Sequence, residues 1–142
     1  MHPRLTVVTL GVTDVSRALA FYKQGLGWPT AFEQDDVAFF QLSGVILALY
    51  PRHLLAEDAT VDPKGNGFSG VTLAHNVGSE REVDAVLEEA RTAGATIARR
   101  GEKAVWGGYR GYFADPDGYL WEVVYNPQWP LDNQGRLTIG RK

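Results

Sequence analysis

The chain has 142 residues, 44% of them hydrophobic, which suits one domain, or two small halves sharing a core, with an ordinary buried interior. A formal net charge of −3 without any block of like charges argues against nucleic acid or an anionic membrane as the partner, and leaves small molecules or proteins. The absence of cysteine excludes disulfides, thiolate metal sites and cysteine nucleophiles.

In chain order, the β-branched run at 5–12 reads as a strand. Thr13 or Asp14 offers an N-cap, and Val15, Ala18, Leu19 and Tyr22 recur at helical spacing until Gly25-Leu26-Gly27-Trp28-Pro29 ends the helix. Strands are expected at 30–34, 37–42 and 45–50, with Asp35-Asp36 and Ser43-Gly44 as turns. The polar, turn-rich stretch 53–67 reads as a linker.

A second series follows. A strand is expected at 70–77, then Ser79-Glu80-Arg81-Glu82 has the form of a capping box opening a helix with Val83, Val86, Leu87 and Ala90 inward, ended by Gly94. Strands at 96–99 and 109–114 flank a loop or ragged strand at 101–108. Asp115-Pro116-Asp117-Gly118 is a firmly specified turn, because Pro116 sets φ, the Asp side chains can bond nearby backbone and Gly118 tolerates positive φ. In the strand beyond it, Leu120, Glu122 and Val124 point one way and Trp121, Val123 and Tyr125 the other. Glu122 is thus a carboxylate between apolar neighbours, expected to be paired, hydrogen-bonded, metal-bound or lining a wet cavity.

The order βαβββ occurs twice, with Gly44-Val45-Ile46-Leu47-Ala48-Leu49-Tyr50 lying against Gly118-Tyr119-Leu120-Trp121-Glu122-Val123-Val124. The expected fold is therefore α+β: two βαβββ modules, about 1–52 and 68–127, within one domain spanning 1–142, their mixed sheets curving into a cup. A polar tail, 128–142, carries Trp129-Pro130-Leu131, which is expected to fold back over a sheet or a partner chain.

From Thr9-Leu10-Gly11-Val12-Thr13-Asp14 with Phe21-Tyr22 to Asp115-Pro116-Asp117-Gly118 with Glu122, the chain resembles the vicinal oxygen chelate superfamily of glyoxalase I, extradiol dioxygenases, fosfomycin-resistance enzymes and bleomycin-type resistance proteins. The resemblance implies paired βαβββ modules and, in the family's enzymes, a divalent metal held by His, Gln or Glu from the first and last strand of each module. Those places fall on Val7, Ala48, Gly70 and Glu122, so one ligand in four remains. Val, Ala and Gly supply no donor side chain, and His75 has an odd offset from Gly70. No cofactor is expected and a divalent metal is disfavoured.

What remains is a cup with one carboxylate and many aromatic residues. Ligand-binding candidates are Glu122, Phe39, Tyr50 and the glycine-rich segment containing Trp106, Tyr109, Arg110 and Tyr112, whose rings and guanidinium suit a flat or cationic molecule. The leading expectation is a metal-independent binder of an organic ligand, as in bleomycin-type resistance proteins. The alternative is a lyase, isomerase or dioxygenase-like enzyme using Glu122 as base or as one metal ligand; a third is an interaction module. A homodimer is the expected assembly. A cytoplasmic location is expected, since no cationic segment precedes an apolar core at the amino terminus and no apolar run approaches the roughly 20 residues of a membrane span.

Overall fold

The β-branched run near the amino terminus becomes strand β1 (Val7–Val12), and Asp14 caps the helix that follows by accepting from the amides of Ser16 at 2.9 Å and Arg17 at 3.3 Å. The computed structural model describes residues 1, 3, 5–65, 67–69 and 71–137. It divides into two units, Met1–Ser69 and Gly70–Lys142.

In the first unit, helix α1 (Val15–Leu19) continues as a π-helical segment, Ala20–Gly25, closed by the Leu26 amide donating to the Phe21 carbonyl five residues back, at 2.8 Å. Strands β2 (Phe32–Gln34), β3 (Val37–Gln41) and β4 (Ile46–Pro51) join β1 in the order β1-β4-β3-β2, with β1 parallel to β4 and the other pairs antiparallel. Alternation puts Leu10, Val12, Phe40, Leu47 and Leu49 on one face, where Tyr22 meets Phe40 with ring centroids 6.0 Å apart. The turns at Asp35 and Gly44 fall where expected, both with positive φ.

The expected linker at 53–67 needs correction, because residues Arg52–Ala59 form helix α2. Its reason is tertiary. Gly11, whose side-chain position points to the same face as Thr9 and Ala48, lets the helix come so close that an added Cβ would lie 3.2 Å from both Arg52 Cα and Leu55 Cδ2. Pro51 before the helix and Thr60 after it, at φ 58, set its ends, and Arg52 Nε donates to the Pro63 carbonyl at 2.8 Å.

The second unit repeats the plan. It contains β5 (Leu73–Asn76), α3 (Glu80–Ala93), β6 (Thr96–Lys103), β7 (Tyr109–Ala114) and β8 (Leu120–Tyr125), in sheet order β5-β8-β7-β6 with β5 parallel to β8. β5 is shorter than the expected strand, and Gly70 lies outside the described residues. β6 runs on past Arg99 because two register shifts against β7 absorb its extra residues. Ser79 caps α3 as expected, its hydroxyl accepting from the Glu82 amide at 3.2 Å, while the Glu82 carboxylate reaches back one residue further than a capping box requires and accepts from the Gly78 amide.

Helix α3 buries Val83, Leu87 and Ala90 against one face of this sheet, which presents Gly111, Phe113, Trp121 and Val123. Phe113 and Trp121 stack with centroids 6.1 Å apart and planes at 10°. The Asp-Pro-Asp-Gly corner between β7 and β8 is held by Asp115, which is buried; its Oδ1 accepts from the Asp117 and Tyr119 amides, each at 2.9 Å.

Candidate functional site

With α3 on one face of the second sheet, the residues of β7 and β8 that alternate away from it fall on the other: Arg110 and Tyr112 from β7, and Leu120, Glu122 and Val124 from β8. Tyr112 and Glu122 are directly opposed across the antiparallel pair, and the phenol donates to Glu122 Oε2 at 2.5 Å. That bond is the largest cause, followed by burial, of a Tyr112 pKa held above the ordinary tyrosine value, so the hydroxyl stays a neutral donor.

A cleft of about 330 Å³ lies over this face. Glu122, Val124 and Asn126 follow one another along β8 and its extension at the strand period of two. Ala74 and Asn76 come from β5, paired with Glu122 and Val124. Trp106 and Trp129 complete the walls, with 49% and 42% of their surfaces exposed. The Trp106 ring lies over Gly108, where an added Cβ would fall 2.0 Å from its Cζ3 and 2.7 Å from the Tyr125 carbonyl oxygen. Only a residue without a side chain leaves room for the indole there.

Of the residues expected from sequence, Glu122 and Trp106 line this cleft, and Tyr112 is joined to it by its bond to Glu122. Tyr109 does not. It alternates to the α3 face, where its hydroxyl donates to Asp84 at 2.9 Å. Arg110 is largely buried, its Nη1 at 3.5 Å from the Glu102 carbonyl oxygen and 3.7 Å from the Glu102 carboxylate. Phe39 and Tyr50 belong to the first unit, where Phe39 packs on Phe32 with centroids 5.7 Å apart and Tyr50 pairs with Gly11. His75 faces away from Ala74 and Asn76, and burial lowers its pKa against the opposing charge of Glu89.

Sequence reasoning missed Asn76, Asn126 and Trp129. Asn126 was findable, being two positions beyond Val124 on the face of Glu122. Asn76 becomes visible only through the register of β5 on β8.

The fit to a divalent metal is poor on donor chemistry. In the first unit Val7 and Ala48 carry no donor side chain. In the second, the residue standing as far before cap Ser79 as Val7 stands before cap Asp14 is Thr72 rather than Gly70, and its hydroxyl is a weak ligand. Glu122 is the one ionisable group lining the cleft, and among the described residues no three His, Asp or Glu side chains are placed to share an ion.

Two four-stranded mixed sheets of the same strand order, each built with its own helix, define an α+β protein of paired modules. Residues 4–123 match the model of the glyoxalase/bleomycin resistance protein/dioxygenase superfamily, and the chain belongs to that superfamily. It is similar to a glyoxalase-related enzyme from Fulvimarina pelagi, with 37% identity over 98% of this chain and 99% of that one and a TM-score of 0.89. A glyoxalase/bleomycin resistance protein/dioxygenase from Nocardioides is 28% identical over 88% of this chain and 84% of that one, with a TM-score of 0.73. A lactoylglutathione lyase from Agrobacterium tumefaciens, at 19% identity over 93% and 100% and a TM-score of 0.70, shares the fold.

Proposed function

We propose that this protein binds a small organic molecule in the cleft over β8, and that it does so without a divalent metal. The observation that carries this reading is the composition of the cleft: one carboxylate, already hydrogen-bonded by Tyr112, set among two tryptophans, two amides and small apolar side chains. A concave, mostly apolar site with a few convergent polar groups is the usual form of a small-molecule pocket, and about 330 Å³ lies at the small end of that range. Trp106 and Trp129 report directly on occupancy. Titrating chelator-treated protein with a panel of aromatic compounds should quench or shift tryptophan emission, and Trp129→Ala should weaken that binding. Affinity that appears only after zinc, nickel, manganese or iron is restored would refute metal independence.

A second reading is favoured by the Tyr112–Glu122 pair and by the enzyme description of the Fulvimarina pelagi relative. In a lyase or isomerase, Glu122 would take a proton from a carbon next to a carbonyl while Tyr112 holds the carboxylate in place. Deuterium incorporation from solvent into such a substrate, lost in Glu122→Gln, is its signature. The proposal also includes a cytoplasmic homodimer, a twofold pair being the commonest closed assembly; sedimentation equilibrium tests the dimer.

A further inference from the structure

We infer that the ligand of this cleft is an organic cation, a protonated or quaternary amine carried on an apolar body, an inference that rests on the cleft being a ligand site at all. The argument begins with charge. Among the described residues the one hydrogen bond recorded to the Glu122 carboxylate comes from Tyr112, a neutral donor that leaves the negative charge in place. The nearby cation, Arg110, lies 3.7 Å from the Glu102 carboxylate, which Arg99 holds at 2.6 Å, and neither guanidinium lines the cleft. Every other lining group, Ala74, Asn76, Trp106, Val124, Asn126 and Trp129, is neutral.

Three classes of ligand then fare differently. An anion would meet Glu122 with no positive group among the lining side chains to offset the repulsion. A neutral molecule would strip water from a carboxylate without replacing the lost interaction. A cation supplies the missing charge and can donate to the second carboxylate oxygen when it carries N–H groups.

The walls point the same way. Tryptophan is the side chain whose ring attracts cations most strongly, and two of them line the cleft beside the acid with just under half of their surface exposed. The Trp106 ring lies close over Gly108. The amide oxygen of Asn76 is a further acceptor for ammonium protons, and that of Asn126, which already accepts from the Gln128 amide at 3.0 Å, keeps a second lone pair.

The test uses three soluble probes with similar bodies and different charge: phenethylammonium, phenethyl alcohol and phenylacetate, titrated by calorimetry and tryptophan fluorescence. Phenethylammonium should bind at least about tenfold more tightly than phenethyl alcohol, an advantage of about 1.4 kcal/mol, and phenylacetate should not bind. Added salt should shrink that advantage. Glu122→Gln should abolish it, bringing the affinities for the ammonium and the alcohol together, and Glu122→Asp, which keeps the charge, should retain part of it. Equal affinity for the ammonium and the alcohol, or an advantage that survives Glu122→Gln, overturns the inference and leaves the cleft as a ligand site. Failure of all three probes to perturb Trp106 or Trp129 overturns both the inference and the cleft reading.

Discussion

The Tyr112 phenol donates to Glu122 Oε2 at 2.5 Å from the directly opposite position on the neighbouring strand, so the acid of the cleft is held from within its own sheet. Tyr112→Phe removes the donor while keeping the ring. The expected cost is about 1–2 kcal/mol, as for a partly buried bond to a charged group, measured by denaturant unfolding. Lost binding without lost stability would separate a ligand role from a structural one.

The same bond predicts a pH dependence. The Tyr112 pKa is raised in the folded protein, first by the Glu122 bond and then by burial, so folding favours the protonated phenol. Its stabilising contribution is complete below the ordinary tyrosine value near 10 and disappears as the pH rises through the raised folded value. Thermal unfolding followed across this alkaline range should show a steeper loss for the wild type than for Tyr112→Phe. Tyr109, raised by burial and by its bond to Asp84, contributes in the same direction.

Gly108→Ala should evict the Trp106 ring. The added Cβ would overlap the indole and crowd the Tyr125 carbonyl oxygen, so one wall of the cleft must move. Tryptophan emission should shift and affinity for a cleft ligand should fall about tenfold, the order of a lost aromatic contact. Unchanged emission would show that the indole has room to adjust.

Gly11→Ala addresses the other unit. With Arg52 Cα at 3.2 Å from the new methyl, helix α2 must lift from the sheet, at an expected cost of about 1–3 kcal/mol for overpacking. Faster amide hydrogen exchange confined to 52–59 would locate the effect there.

Asp115→Ala removes the acceptor of the Asp117 and Tyr119 amides at the β7–β8 corner. Leaving those donors unsatisfied should cost about 1–3 kcal/mol, read as a lower denaturation midpoint. Asp115→Asn keeps an acceptor and should cost less.

Much of the fold was legible because it is written locally. Caps at Asp14 and Ser79, left-handed glycines at 44, 94 and 118, and period-two strands each depend on a few neighbouring residues. The strand Tyr109–Ala114 fell where expected because turns delimit it on both sides. Helix α2 was missed because its polar composition carries a weak helical signal, and its support comes from Gly11, some forty residues earlier in the chain.

The sequence by itself determined the repeated α+β plan, the specified corner before β8 and the isolation of Glu122, since these follow from spacing along one strand or one turn. Only the tertiary structure decided that residue's company. Tyr112 reaches it, while Tyr109, three residues earlier, turns to Asp84, because odd and even positions of β7 face opposite sides of the sheet. Asn76 joins the cleft through the pairing of β5 with β8, and Trp129 by the path of the chain beyond that strand. Register between segments distant in sequence is a property of the folded sheet, and the site is built from it.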